Sequence, residues 1–103
     1  MRFLLAAGLA LGVAPPIAAA GEELGRRVFT EIAQPSCAIC HTLGAASAAG
    51  SVGPSLDEIK PDKARVLDAV RNGVGVMPPF ADKLTPAQIE AVADYVAKSA
   101  GSQ

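Results

Sequence analysis

The sequence predicts an all-α domain of three main helices joined by irregular loops. Three observations predict it: apolar residues recur at helical spacing in three separate stretches, no stretch alternates convincingly with period two, and Gly, Pro, Ala and Ser collect between the helical stretches. The chain has 103 residues, so one small domain is all it can hold once a removable leader is set aside.

That leader is residues 1–20. Arg2 gives a positive start, Phe3 to Ala14 form an apolar run, and Ala18-Ala19-Ala20 offer small residues for cleavage before Gly21. The run ends at Pro15-Pro16 and falls short of the roughly 20 residues that cross a bilayer. A secretory signal peptide cleaved near Ala20 is therefore expected, with residues 21–103 as the mature domain, exported to the periplasm and without stable membrane insertion. Lys and Arg number 9 against 10 Asp and Glu, and Arg2 leaves with the leader. The mature chain is mildly acidic, its basic residues are scattered, and it shows no cationic face for nucleic acid.

In the first helix, Leu24, Val28, Phe29 and Ile32 share one face while Glu22, Glu23, Arg26, Arg27 and Glu31 take the rest, which predicts helix over 22–33. Pro35 interrupts it, leaving room for no more than a short helical turn at Cys37. From Thr42 to Asp57 the chain is Gly-, Ala- and Ser-rich and aperiodic, a loop long enough to have a function. Pro61 and Asp62 open a second helix, with Val66, Leu67 and Val70 on one face and Asn72-Gly73 as its stop. Residues 73–80 are again irregular. The third helix starts at Thr85-Pro86-Ala87-Gln88, a cap, a proline in the first position and a glutamine placed for a capping box; Ile89, Val92, Ala93 and Val96 form its buried stripe. No sheet is expected.

The large aromatic groups of the mature chain are Phe29, Phe80 and Tyr95. So short a domain struggles to build a core from so few, and two cysteines three apart cannot tie distant segments together. A cofactor is the economical way to fill the centre.

Cys37-Ala38-Ile39-Cys40-His41 supplies the attachment. Two thiols on one helical turn can reach the two vinyl groups of a porphyrin, and the next residue presents an imidazole to its iron, so the pattern reads as a c-type haem site. Structural zinc wants four protein ligands where two Cys and one His stand. A thioredoxin-like pair wants a strand-to-helix junction, and none is predicted. Two idle buried cysteines are out of place in an exported chain, where thiols are oxidised unless used. His41 is the only histidine, so a second axial ligand must be another residue type or be absent. Met77 is the one thioether left in the mature chain and sits in an aperiodic segment backed by Pro78-Pro79; core filling is its bland reading. Lys60, Lys63, Lys83 and an open, water-occupied position are the other possibilities.

Residues 22–99 resemble the mono-haem class I cytochromes c. Beside the haem motif, Gly53-Pro54-Ser55-Leu56 resembles that family's Gly-Pro-x-Leu segment, Met77-Pro78 its axial methionine segment, Gly25 and Phe29 its first-helix contact positions, and Tyr95 their aromatic partner in the last helix. The resemblance implies thioethers at Cys37 and Cys40, iron ligation by His41 and Met77, a Pro54 carbonyl accepting the other imidazole N–H, and terminal helices that cross at the glycine. It implies one covalent haem c, filled axially by the protein and so suited to carrying single electrons rather than binding substrate. The stretch from Gly44 to Gly50 departs from the pattern: it offers few side chains to wall a haem, which predicts a more exposed edge.

The partners implied are redox proteins, a periplasmic dehydrogenase as donor and a terminal oxidase as acceptor. The sequence also resembles small cytochromes that accompany sulfite dehydrogenases, which makes a dedicated electron-accepting subunit the alternative; a haem sensor or peroxidase is a more distant one. Gln34, Pro35, Ala38, Ile39, Pro78 and Pro79, the residues expected around the haem edge, are all uncharged and predict an apolar docking patch.

Overall fold

A computed structural model describes residue 12 and residues 16–102. Most of the predicted leader therefore lies outside the described residues. The described chain runs α1 (Ile17–Arg27), a π-helical turn (Val28–Ile32), α2 (Cys37–Cys40), β1 (Thr42–Leu43), a 3-10 turn (Gly44–Ala46), β2 (Ala48–Ala49), α3 (Leu56–Ile59), α4 (Lys63–Asn72) and α5 (Pro86–Ser99). The three main helices stand where the sequence puts them, and none of the described helices is long and apolar enough to cross a membrane.

The first helix differs from expectation at both ends. It begins at Ile17, upstream of the predicted Glu22, and it widens after Arg27 into a π turn closed by the Ala33 N–H on the Val28 carbonyl at 3.0 Å. Within it the Thr30 hydroxyl donates to the Arg26 carbonyl at 3.0 Å. Val28 and Phe29 are buried as the periodicity predicts.

α1 packs against α5 through Gly25, which is buried. A Cβ there would overlap the Ala91 carbonyl oxygen and lie 2.5 Å from the Tyr95 Cβ, so only glycine permits the approach. Next to the crossing Phe29 meets Tyr95 edge to face, with centroids 6.3 Å apart and planes at 61°. α4 also packs on α5; Lys63 bonds Glu90 at 2.9 Å across that contact, and Val66 and Val70 are buried.

The helix starts are made by the side chains predicted for them. Asp62 accepts from the Arg65 N–H at 2.9 Å, and Thr85 and Gln88 exchange both bonds of a capping box at 3.1 and 2.9 Å. Ser55 likewise caps the one-turn α3.

The expectation of no sheet is corrected by a small antiparallel ribbon, with Thr42 opposite Ala49 and Leu43 opposite Ala48. Two-residue strands are too short for period-two alternation to register in the sequence. The ribbon folds residues 44–50 back on themselves, and Leu43, Ala46 and Ala48 are buried. Residues 73–80 are also more ordered than an irregular loop: the Val74 and Met77 N–H groups bond each other's carbonyls at 3.1 and 2.9 Å, and the Phe80 N–H bonds Val70 at 2.7 Å.

Candidate functional site

The one-turn α2 carries both cysteines. Ser36 forms it: its Oγ accepts from the Ala38 N–H at 3.2 Å and donates to the Phe29 carbonyl at 3.0 Å, so one hydroxyl caps α2 and ties it to the end of the first helix. The His41 N–H closes the turn on the Cys37 carbonyl at 3.0 Å. Cys37 and Cys40 are half-buried and form no disulfide. Burial pushes the Cys37 thiol up to about 11, with a smaller contribution from Cys40, so at neutral pH it is a thiol and not a thiolate. Among the described residues no group of three or more His, Cys, Asp and Glu is arranged to hold a metal ion, which leaves the zinc reading without its further donors.

His41 is oriented by the chain after the ribbon. Its Nδ1 lies 2.8 Å from the Pro54 carbonyl oxygen, an acceptor, so Nδ1 holds the proton and donates. In the neutral ring Nε2 is then the nitrogen with the free lone pair, and it makes no hydrogen bond among the described residues. Gly53 lets the backbone pass flat under the ring: a Cβ at that position would sit 2.7 Å from Cε1 and 3.1 Å from Nδ1 of His41. The Gly53 N–H bonds the Cys40 carbonyl at 2.7 Å, which fixes the 53–54 segment to α2 itself.

Cys37, Cys40 and His41 open onto a cleft of about 300 Å³, and Met77 and Pro78 line the same cleft from the 73–80 turn. Phe29, Leu56, Val66, Val70, Phe80 and Val92 form its floor and walls. Beyond Cys37, Cys40 and His41, the polar side chains in the lining are Ser36 and Arg65. Its rim leaves Val52 70%, Val74 60% and Val76 88% exposed, an apolar margin of the kind that marks a covering ligand or partner. An apolar cleft with two thiols, an imidazole and a thioether on its walls fits a haem c in lining and in donor set.

All five predicted site residues, Cys37, Cys40, His41, Pro54 and Met77, therefore border one cleft. The residues 44–50 do not line it, so their small side chains have no part in walling a haem; Val52, Gly53 and Pro54 do that instead. Of the predicted docking residues, Gln34, Pro35, Ile39 and Pro79 are exposed, while Ala38 and Pro78 are half-buried. Sequence reading missed Ser36, although a serine directly before a short helical turn is a cap signal. It also missed Arg65, which no local pattern sets apart from the other surface cations.

Residues 20–96 match the family described as "Cytochrome C oxidase, cbb3-type, subunit III". The chain is 37% identical over 87 residues to cytochrome c6 of Bryopsis maxima, covering 75% of this chain and 90% of that protein. It is 37% identical over 92 residues to the chloroplastic cytochrome c6 of Chlamydomonas reinhardtii, covering 80% of this chain and 57% of that protein. Among solved structures it is similar to the c-type cytochrome SorU from Sinorhizobium meliloti, with a TM-score of 0.78 and 53% identity, covering 81% of this chain and 94% of that one. The chain belongs to the class I c-type cytochromes: it is a haem electron-transfer cytochrome whose cofactor is one covalent haem c.

Proposed function

We propose that this cytochrome is a periplasmic single-electron carrier in which Cys37 and Cys40 form the haem thioethers and His41 and Met77 are the axial iron ligands. The observation that carries the reading is the 2.8 Å bond from His41 Nδ1–H to the Pro54 carbonyl, because it fixes the tautomer and leaves Nε2 as the only lone pair of the ring. Met77 supports it from the other direction, held on the same cleft by its backbone pairing with Val74 and by Pro78 behind it. Bound there, haem supplies a one-electron ferric/ferrous couple. The chain's part is to keep both ligands in place: Ser36 and Gly53 anchor the histidine side, and the Val74–Met77 bridge anchors the thioether. Anchored ligands keep geometric change between redox states small.

Cleavage of the leader near Ala20 is part of the same proposal. It would leave Gly25, Val28 and Phe29, the first-helix residues buried near α5, in the mature chain.

The test is the optical spectrum of the mature haem-loaded protein, oxidised and reduced, with carbon monoxide added to the reduced form. A low-spin spectrum with a sulfur-to-iron charge-transfer band and no response to carbon monoxide is expected. A high-spin spectrum or ready carbon monoxide binding would replace this reading with a ligand-binding haem, a sensor or peroxidase.

The partners proposed are a dehydrogenase as donor and a terminal oxidase as acceptor. The second reading is a dedicated cytochrome subunit that accepts electrons from a periplasmic dehydrogenase, for example a sulfite dehydrogenase. It is favoured by the uncharged surface of Ile39, Val52, Val74 and Val76, which suits a partner that stays bound. Co-purification with a catalytic subunit supports it, and electron transfer that keeps its rate as ionic strength rises supports apolar docking in either case.

A further inference from the structure

The Ser36 hydroxyl bonds in two directions at once. It donates to the Phe29 carbonyl at 3.0 Å, with the Thr30 carbonyl at 3.3 Å, and its oxygen accepts from the Ala38 N–H at 3.2 Å. Both carbonyls belong to the last turn of the first helix, where the helical N–H groups run out and Pro35 has none to offer. The Gln34 side chain takes the next carbonyl along, donating to Glu31 at 3.2 Å. The Ala38 N–H lies in the first turn of α2 and equally has no helical acceptor. One hydroxyl therefore joins the open end of one helix to the open start of the next.

The remaining hydrogen bonds of α2 and His41 lead away from the first helix. The Gly53 N–H bonds the Cys40 carbonyl at 2.7 Å, the Gly50 N–H bonds the His41 carbonyl at 3.2 Å, and His41 Nδ1 donates to the Pro54 carbonyl at 2.8 Å. Residues 50–54 are thus tied to α2 and move with it. Covalent bonds at Cys37 and Cys40 would define an axis about which the turn can still rock, so a point off that axis is needed to hold it. Ser36 supplies one, bonded to Phe29, whose residue also lines the cleft.

Resting on the haem reading above, we infer that Ser36 is a positioning residue for the His41 ligand: its hydroxyl fixes the tilt of α2 against the first helix, and with it the orientation of the imidazole in the cleft. The position needs a group that donates and accepts together, which threonine supplies and alanine does not.

The mature haem-loaded protein is compared with Ser36→Ala, Ser36→Thr and Thr85→Ala. The last removes a capping hydroxyl of similar bond length, 3.1 Å from the Gln88 N–H, outside the cleft. Proton NMR of the ferric form reads the haem methyl shifts, which follow the orientation of the axial imidazole, and urea denaturation reads stability. Ser36→Ala is expected to rearrange the methyl shifts, Ser36→Thr to keep the wild-type pattern, and Thr85→Ala to lose stability with the pattern unchanged. A wild-type pattern in Ser36→Ala, or a Ser36→Thr pattern displaced as far as that of Ser36→Ala, would overturn the assignment. Should Ser36→Ala fail to load haem, hydrogen exchange of the Ala38 N–H in the wild-type protein decides: protection supports the joint, and exchange at the rate of an open amide overturns it. A wild-type chain that takes up no covalent haem would bring down the haem reading and this inference together, whereas a normal low-spin protein with a silent Ser36 would bring down this inference alone.

Discussion

Gly25→Ala sets two effects of opposite sign against each other. On an exposed helix the change would stabilise by about 1 kcal/mol, because alanine restricts the unfolded chain and suits the helix. At this position the added Cβ overlaps the Ala91 carbonyl oxygen and lies 2.5 Å from the Tyr95 Cβ, where comfortable contact needs about 3.5–4.0 Å. Neither opponent can rotate away: one is backbone, and the other is the atom that anchors a buried ring. The helices must separate by about 1 Å or more to restore that contact distance. Separation also strains the Phe29–Tyr95 contact, now at 6.3 Å between centroids, a pair of a kind worth about 0.5–1.5 kcal/mol beyond its burial. Overpacking of this kind costs about 1–3 kcal/mol. With the lost ring contact added and the helix gain subtracted, the net loss is about 1–3 kcal/mol. At about 4–8 °C per kcal/mol for a domain of this size, Tm should fall by about 5–20 °C. Thermal unfolding of the haem-loaded variant, followed by far-ultraviolet circular dichroism and by haem absorption, measures it. A Tm equal to or above that of the unsubstituted protein would refute the steric reasoning and leave Gly25 an ordinary helix glycine.

Other perturbations follow from the same geometry. Gly53→Ala puts a Cβ 2.7 Å from His41 Cε1, so the ring should leave its bond to Pro54; a weakened low-spin spectrum checks this, and an unchanged one contradicts it. The buried Tyr95 hydroxyl has Ser99 and Arg26 nearby but no partner in hydrogen-bond geometry among the described residues, so Tyr95→Phe should change stability by less than about 1 kcal/mol in urea denaturation; a larger loss would show that the hydroxyl is bonded. Cys37→Ser/Cys40→Ser, which carries no covalent haem, should show no cooperative thermal transition, and a sharp one would mean the protein part suffices.

Where one side chain settles a local choice, the sequence is readable. Thr85, Pro86 and Gln88 start α5 by contacts within four residues, and the capping box forms as written. Cys37, Cys40 and His41 are adjacent in sequence, so their convergence on one cleft needs no tertiary information. Met77 stands out as the one thioether left once Met1 is set aside with the leader, but elimination leaves three lysines and an open position beside it, and only the resemblance to the family's methionine segment singles it out. The π turn at Val28–Ile32 was not legible, because apolar periodicity does not register a one-residue widening of the last turn. Nor was the ribbon, whose pairing joins segments too short to show a period. The role of Ser36 depends on the Phe29 carbonyl lying beside it, a contact that exists only after the chain has turned.

The core and the cleft share side chains, and this decides what the cofactor does for the fold. Phe29, Val92 and Val96 are buried core residues that also line the cleft, and so are Val66, Val70 and Phe80 from the α4 side. Each of these groups therefore packs on protein with one face and on the cleft with another. A domain with such a slot through its middle has too little apolar contact on the cleft side to offset the chain entropy of ordering α4 and the 73–80 turn. The α1–α5 crossing at Gly25 and Tyr95, by contrast, packs on residues that do not line the cleft. A haem seated in this cleft would complete the core, and the same contacts would hold the His41 and Met77 sides of the cleft in place. Stability and ligand geometry should therefore change together: substitutions of Val66, Val70 or Phe80 that loosen the core should also shift the reduction potential, whereas Gly25→Ala should lower Tm with much less effect on it.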